Sequence, residues 1–251
     1  MIFRTVLKTH KEHGCKGLCL LFSYYFQRIV SQCVGPGKEC PLCGWRGPEF
    51  APFLNFTDNV IRPKARCPEC GSLERHRGYK FFYEKFFEEY EKGSRRILHF
   101  APEKCFEKIL KTYASEYVKS NYENPAPGEL SLDLRDLKLE AKSFDILVMN
   151  YVLSCMPGDL QAVKNMHRVL ETNGVVLAGE CVDPDKPTVE YPSVVYGGRH
   201  RSYGMLDIMK RFYPFEVEAI NITGGLAGFA KARYGLNCPE YMIILRKKQS
   251  E

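Results

Sequence analysis

Two short cysteine hairpins, Cys40-Pro-Leu-Cys43-Gly44 and Cys67-Pro-Glu-Cys70-Gly71, constrain this chain more than any other feature. Each Cys-x-x-Cys brings two sulfurs within reach of one metal ion. The glycine after the second cysteine suits the left-handed turn that points backbone N–H groups back at the thiolates. The hairpins are 23 residues apart, slightly wider than the usual spacing of a four-cysteine zinc ribbon. A disulfide pair or a redox motif is the alternative, but a redox Cys-x-x-Cys needs only one hairpin. Cys40, Cys43, Cys67 and Cys70 are therefore read as ligands of one zinc ion. Four cysteines leave no coordination position for water, so the metal is structural and not catalytic.

The other cysteines show no such spacing. Eleven in all is an odd number, and Cys15, Cys19, Cys33, Cys105, Cys155, Cys181 and Cys238 are scattered. They read as reduced, small hydrophobic residues, which points to a reducing compartment and a cytoplasmic protein. Charge is just as unevenly spread. Residues 1–80 hold 13 Lys and Arg against 6 Asp and Glu, a net of +7, inside a chain whose total is +6. A basic front module suits an anionic partner such as nucleic acid, a phosphorylated carbohydrate or a membrane surface. The apolar run within 17–30 stops at Gln27 and Arg28, short of the ~20 residues a spanning helix needs. It is expected to be an amphipathic helix that packs on the body, with peripheral membrane contact as the second reading.

Four segments follow from this pattern. Residues 1–37 form a basic leader with an amphipathic helix, closed by Gly35-Pro36-Gly37. Residues 38–71 form the ribbon, and 72–92 a connecting helix capped by Ser72 with an aromatic stripe of Tyr79, Phe82, Tyr83, Phe86, Phe87 and Tyr90. Residues 93–251 alternate strand and helix. Strands are expected near 96–100, 117–122, 130–134, 144–152, 174–181, 216–222 and 241–246, and helices near 104–115, 159–170 and 202–212. Residues 223–239 read as an irregular Gly-rich loop. Short apolar strands alternating with helices indicate an α/β fold with a parallel sheet covered on both faces. Ligands in such sheets sit outside the carboxyl ends of the strands, where strand order reverses. The residues to watch are thus His99 to Glu103, Asn121-Tyr122, Asn150-Tyr151 and Glu180.

These strings resemble a known family. Arg96-Ile-Leu-His-Phe-Ala-Pro-Glu103, Ser143-Phe-Asp-Ile-Leu-Val-Met-Asn150 and Arg168-Val-Leu-Glu-Thr-Asn-Gly174 are similar to class I S-adenosylmethionine-dependent methyltransferases of the type 11 kind. Cys67-Pro-Glu-Cys-Gly-Ser-Leu-Glu-Arg-His-Arg77 narrows the resemblance to a subfamily with an N-terminal zinc ribbon of four cysteines. The resemblance covers about 38–248. It implies a Rossmann-like seven-stranded methyltransferase sheet, six strands parallel and the last antiparallel. It implies that His99, Ala101, Pro102 and Glu103 form the loop around the methionine part of S-adenosylmethionine. Asn121 and Tyr122 stand at the ribose, Asp133 and Leu134 at the adenine, and Asn150 and Tyr151 on the fourth motif. The usual Gly-x-Gly is missing from the first loop. A pyrophosphate needs that close backbone approach, so its absence speaks against a dinucleotide, whereas S-adenosylmethionine has no phosphate. Asn121 replaces the usual acidic residue, and Ser154-Cys155 the usual Glu-His pair.

Methyl transfer from a sulfonium asks mainly for alignment, with a base only where the nucleophile must lose a proton. Substrate-side candidates fall in Tyr196–Gly204: His200 as base, Arg201 for an anionic group, and Tyr203, with Glu180 and Tyr151 as further bases. The expected activity is methyl transfer to a small-molecule or glycan-type acceptor. One alternative is a ribosomal- or transfer-RNA methyltransferase that grips RNA through the basic ribbon, with Trp45-Arg46 and Phe50 as its stacking residues. Another is a catalytically silent ribbon–Rossmann scaffold. The sequence assigns no oligomeric state.

Overall fold

The structure is a computed structural model that describes residues 2–33, 37–55, 60–195, 198–236 and 238–248. Gly35 and Pro36 of the expected linker, and Tyr196 and Gly197 of the expected substrate segment, lie outside the described residues. The chain divides into two compact units: Met1–Lys80 with Leu226–Cys238, and Phe81–Gly225 with Pro239–Glu251.

The first unit begins with α1 (Ile2–Cys33), broken at Gly14, whose φ of +61° and ψ of −158° interrupt the helical turn. Two antiparallel pairs follow: β1 (Lys38–Glu39) with β2 (Arg46–Gly47), and β3 (Ala51–Asn55) with β4 (Val60–Arg66). Helix α1 packs on β3 and β4. A small core forms where Cys40, Phe50 and Cys67 are buried and Leu42 and Trp45 pack against them. Helix α2 (Glu74–Phe87) starts in this unit and ends in the next.

The second unit is built on β5 (Arg95–Phe100), β6 (Ala114–Ser120), β7 (Phe144–Asn150) and β8 (Leu170–Glu180). Helix α3 (Lys104–Tyr113) links β5 to β6, and α4 (Asp159–Val169) links β7 to β8. After β8 come β9 (Val182–Asp183), β10 (Val189–Val195), β11 (Arg199–Gly204), α5 (Ile208–Arg211), β12 (Glu216–Asn221), α6 (Gly228–Tyr234) and β13 (Tyr241–Arg246). The central sheet has the order β12-β13-β8-β7-β5-β6. Strands β6, β5, β7 and β8 run parallel, and β13 enters antiparallel between β8 and β12. The expected Rossmann-like methyltransferase sheet is present, with one reduction: the strand expected at 130–134 survives as a single parallel bridge, Ser120 to Leu130.

The core follows from strand alternation. Leu98, Phe100, Leu147, Met149, Val176, Ala178, Ile243 and Leu245 share one cluster with Val163, Met166 and Val169 of α4 and with Phe212 beyond α5. The intervening residues Ile97, Ile146, Val148, Leu177 and Ile244 are equally buried and face the other way. Phe106 of α3 meets Tyr83 of α2 edge-on, with ring centroids 5.0 Å apart. A short second sheet, β10-β11-β9, follows the carboxyl end of β8. Two local expectations change. Residues 202–204, expected as the start of the helix over 202–212, belong to β11, where Ser202 and Arg201 pair with Val189 and Glu190, so the helix shrinks to Ile208–Arg211. The loop 223–239 contains α6, closed by Gly235 at φ +62°.

Candidate functional site

The four hairpin cysteines converge. Their sulfurs all lie within 4.8 Å of one another, with Cys40 Sγ 3.7 Å from Cys70 Sγ and Cys43 Sγ 3.7 Å from Cys67 Sγ. A tetrahedron with Zn–S bonds of ~2.3 Å has edges of about 3.8 Å, so the spacing fits zinc. The turns are built as the hairpins require. Gly44 N–H donates to Cys40 O and Gly71 N–H to Cys67 O, with both glycines at positive φ, +77° and +74°. Backbone amides of Leu42 and Cys43 point at the Cys40 sulfur, and those of Glu69 and Cys70 at the Cys67 sulfur. On their own, four sulfurs this close do not ionise together. A thiolate at Cys40 is held down to about 4, chiefly by its bond with Cys67. That thiolate and burial drive the Cys67 thiol up. Burial pushes the Cys43 thiol up to about 11. A divalent cation is what lets all four bind as thiolates.

Arg77 supplies an independent indication. Its side chain is fully buried and stacks on Phe50, 3.8 Å from the ring centroid. It donates to four carbonyls: Tyr234 O at 2.6 Å, Ala65 O and Ser72 O at 3.1 Å, and Gly235 O at 3.2 Å. Burial pulls its pKa down, opposed first by the Glu74 carboxylate and then by the sulfurs of Cys40, Cys67 and Cys70. A zinc with four thiolates carries a net −2, the compensation that a buried guanidinium held mainly by carbonyls calls for.

A second site lies in the other unit, at the point where strand order reverses between β5 and β7. A cavity of about 330 Å³ opens outside the carboxyl ends of β5, β6 and β7, in the range of small-molecule clefts, ~300–1,000 Å³. Ala101, Asn121, Tyr122, Asp133, Leu134 and Tyr151 line it as expected. Ala101 and Tyr151 have φ of +46° and +55°, a left-handed conformation rare outside glycine. Both are pinned: Ala101 N–H donates to Ser120 O at 2.8 Å and Tyr151 N–H to Gly179 O at 2.6 Å. Backbone strain held this firmly concentrates at ligand sites. Asp133 caps the turn Leu134–Asp136 through Arg135 N–H, and the Arg135 guanidinium also donates to both its oxygens. That guanidinium holds the Asp133 carboxyl below its ordinary range.

Four expected cofactor residues do not line this cavity. His99 points to the other face of the sheet and is fully buried, with Nδ1 2.8 Å from Tyr117 Oη and Nε2 3.5 Å from Glu103 Oε2. Glu103 accepts from Asn150 Nδ2 at 2.8 Å, and Tyr83 Oη donates to Asn150 Oδ1 at 3.2 Å. His99, Glu103 and Asn150 therefore brace the loop from behind, and Pro102 sits in that loop. Val152 and Cys155 of the fourth-motif segment also line the cavity, and sequence reasoning missed Met156, Pro157, Arg135 and Glu123. The Asp-x-Arg spacing at 133–135 was the signal for Arg135.

The substrate-side candidates are placed differently from expectation. Arg201 is buried and donates to Leu153 O at 2.6 Å and Met156 O at 2.7 Å, with its Nε on Glu190. Tyr203 is fully buried, and its hydroxyl donates to Asp159 at 2.9 Å. Neither opens into the cavity, because internal acceptors hold both. His200 is half-buried on β11, gives its backbone N–H to Ser154 O at 2.8 Å, and does not line the cavity. Glu180, read as a further base, is also internal: it accepts from Leu153 N–H at 2.8 Å and Ser154 N–H at 3.3 Å. Burial pushes its carboxyl up to about 7. Glu180 and Arg201 thus grip the amides and carbonyls of one wall.

The match to a known family falls within the second unit. Residues 97–178 match the methyltransferase domain family. No curated protein sequence matches the chain. Among solved structures, an S-adenosylmethionine-dependent methyltransferase from Mesorhizobium loti superposes with a TM-score of 0.51 at 14% identity, over 68% of this chain and 98% of that one. A 1,6-didemethyltoxoflavin-N1-methyltransferase from Burkholderia thailandensis, solved with 1,6-didemethyltoxoflavin and S-adenosylhomocysteine, gives 0.50 at 14% identity, over 70% and 79%. At such identities these likenesses show the fold. The sequence match over 97–178 and the sheet topology together show a Rossmann-like methyltransferase fold.

Proposed function

We propose that the chain transfers a methyl group from S-adenosylmethionine to a small-molecule or glycan-type acceptor, while a zinc ion in the ribbon is structural. The observation that carries this reading is the cavity at the switch point, lined by the ends of β5, β6 and β7 inside the segment that matches the methyltransferase family. Its donor set suits the cofactor: an amide at Asn121, a carboxylate at Asp133, and apolar surface from Leu134, Val152 and Met156 for a purine. When bound, S-adenosylmethionine supplies an electrophilic methyl group. The chain's own contribution is to hold and orient. Ala101 presents backbone to the methionine part, Asn121 meets the ribose hydroxyls, and Asp133 accepts from the adenine amine with Arg135 fixing its position. Glu180 and Arg201 keep the facing wall in place, which favours alignment over acid–base work. Glu123 adds a second carboxylate on the rim, outside the Asp133–Arg135 pair. None of the eleven cysteines is joined in a disulfide, which suits a reducing compartment.

The RNA reading loses Phe50 as a stacking residue, because it is fully buried under Arg77, and Trp45 packs against it with centroids 5.4 Å apart. Irradiating the zinc-loaded chain with methyl-labelled S-adenosylmethionine and mapping labelled peptides tests the site. Label is expected on peptides that contain Asn121–Arg135 or Tyr151–Pro157. Label confined to other peptides would refute the assignment.

A further inference from the structure

The ladder between β5 and β7 ends at the pair Phe100–Met149, and the cavity opens beyond it, where the two strand ends part. One side-chain bond carries the link further. Glu103 accepts from Asn150 Nδ2 at 2.8 Å, across 47 positions of the chain. Glu103 immediately precedes α3, where a carboxylate ordinarily caps the first helical amides. Its side chain makes no such bond. It reaches the end of β7 instead, where Asn150 is buried.

The chemistry of the groups fixes how this bridge is arranged. A carboxylate only accepts, so the Asn150 amide turns its nitrogen to Glu103 and its oxygen away. That oxygen accepts from Tyr83 Oη at 3.2 Å. Burial, reinforced by the Glu103 carboxylate, pushes the Tyr83 phenol up, so it stays a donor. Behind the bridge, the same Glu103 oxygen lies 3.5 Å from Nε2 of the buried His99. Two strained residues flank it. Ala101 stands two before Glu103 and Tyr151 one after Asn150, both at positive φ and both lining the cavity. Such backbone persists only where its surroundings over-determine it.

We propose that Asn150 and Glu103 are positioning residues for S-adenosylmethionine: their bond sets how far the ends of β5 and β7 part, and so holds Ala101 and Tyr151 at the spacing the cofactor needs. This rests on the S-adenosylmethionine reading of the cavity. Calorimetric titration of the folded, zinc-loaded chain with S-adenosylhomocysteine tests it, with urea unfolding run on each variant. Asn150→Asp sets two carboxylates against each other and weakens binding by about tenfold or more. In Asn150→Asp/Glu103→Gln the amide stands at 103 and the carboxylate at 150, so the bond is remade in reverse while Tyr83 keeps its acceptor. Affinity returns to within about threefold of the parent, a rescue of ~1 kcal/mol or more. Glu103→Ala, at a partly exposed position, gives the same loss and keeps the test valid should Asn150→Asp fail to fold. Unchanged affinity in a folded Asn150→Asp or Glu103→Ala chain overturns the proposal, even where urea stability falls, because the pair would then serve stability alone. Failure of the reversed pair to restore binding in a folded chain also overturns it. A parent chain that binds no S-adenosylhomocysteine overturns the cofactor reading itself, and this proposal with it.

Discussion

Glu180 shows how one side chain sets a wall and a pH dependence together. It is buried, it accepts two amide N–H groups of the wall, and its carboxyl is pushed from 4.5 up to about 7 by burial. An unfolded chain releases this proton near 4.5, and the folded chain keeps it until about 7. Stability is therefore full below the unfolded value and declines as pH rises through this window, by about 3 kcal/mol at most, before levelling off. Urea titrations across that window should show the decline in the native chain. Glu180→Gln should lower stability at its acid end, where one wall amide loses its acceptor, and flatten the slope. A slope unchanged by Glu180→Gln would remove the residue from this role. Residues of this kind are hard to read in a sequence. Asn121 was legible as a strand-end residue and Asp133 through the family resemblance, and both line the cavity. Arg201 and Tyr203 looked equally reactive, and only tertiary packing reveals that carbonyls and Asp159 hold them.

At the scale of elements, β5, β7 and β13 were located closely as short apolar runs and α3 and α4 by helical spacing. Such patterns failed where register is imposed from outside. Residues 202–204 read as the start of a helix, but pairing with β10 makes them part of a strand. Residues 130–134 look like a strand, yet Asp133 caps a 3-10 turn and leaves one bridge. Segment 226–238 reads as a loop because its partners are distant in sequence: Lys38 Nζ donates to Ala232 O at 2.7 Å, and Arg77 donates to Tyr234 O and Gly235 O. Gly235 is the tightest point. Its φ is positive, and a Cβ there would lie 2.7 Å from the Phe50 ring. Gly235→Ala is expected to destabilise the ribbon by about 1–3 kcal/mol, from left-handed strain and overpacking. Zinc release measured against urea should move to lower concentration. An unmoved release curve would contradict the role given to this helix end.

At the scale of the whole molecule, two cores of different kinds sit in one chain. One is an apolar sheet core; the other is a small cluster of Cys40, Phe50 and Cys67 built around the four converging cysteines. A ribbon whose buried centre is two cysteines and a phenylalanine cannot order itself by burial alone. Purified chain should contain one zinc per molecule. Chelation should open 38–71 to protease while a fragment that contains the central sheet stays protected, and simultaneous loss of both would disprove the division. Broad architecture was legible because the hairpins and the alternating strands act locally. The joining of 226–238 to the ribbon was not, since Arg77 reaches Tyr234 across 157 positions of the chain. The most direct test of the central claim is calorimetric titration of the zinc-loaded chain with S-adenosylhomocysteine. One molecule should bind per chain. Asp133→Asn, which keeps the turn cap but loses the charge, should weaken binding about tenfold, or ~1.4 kcal/mol, with the sheet still folded. A folded chain that gives no binding heat, or equal affinity in Asp133→Asn, would contradict the account.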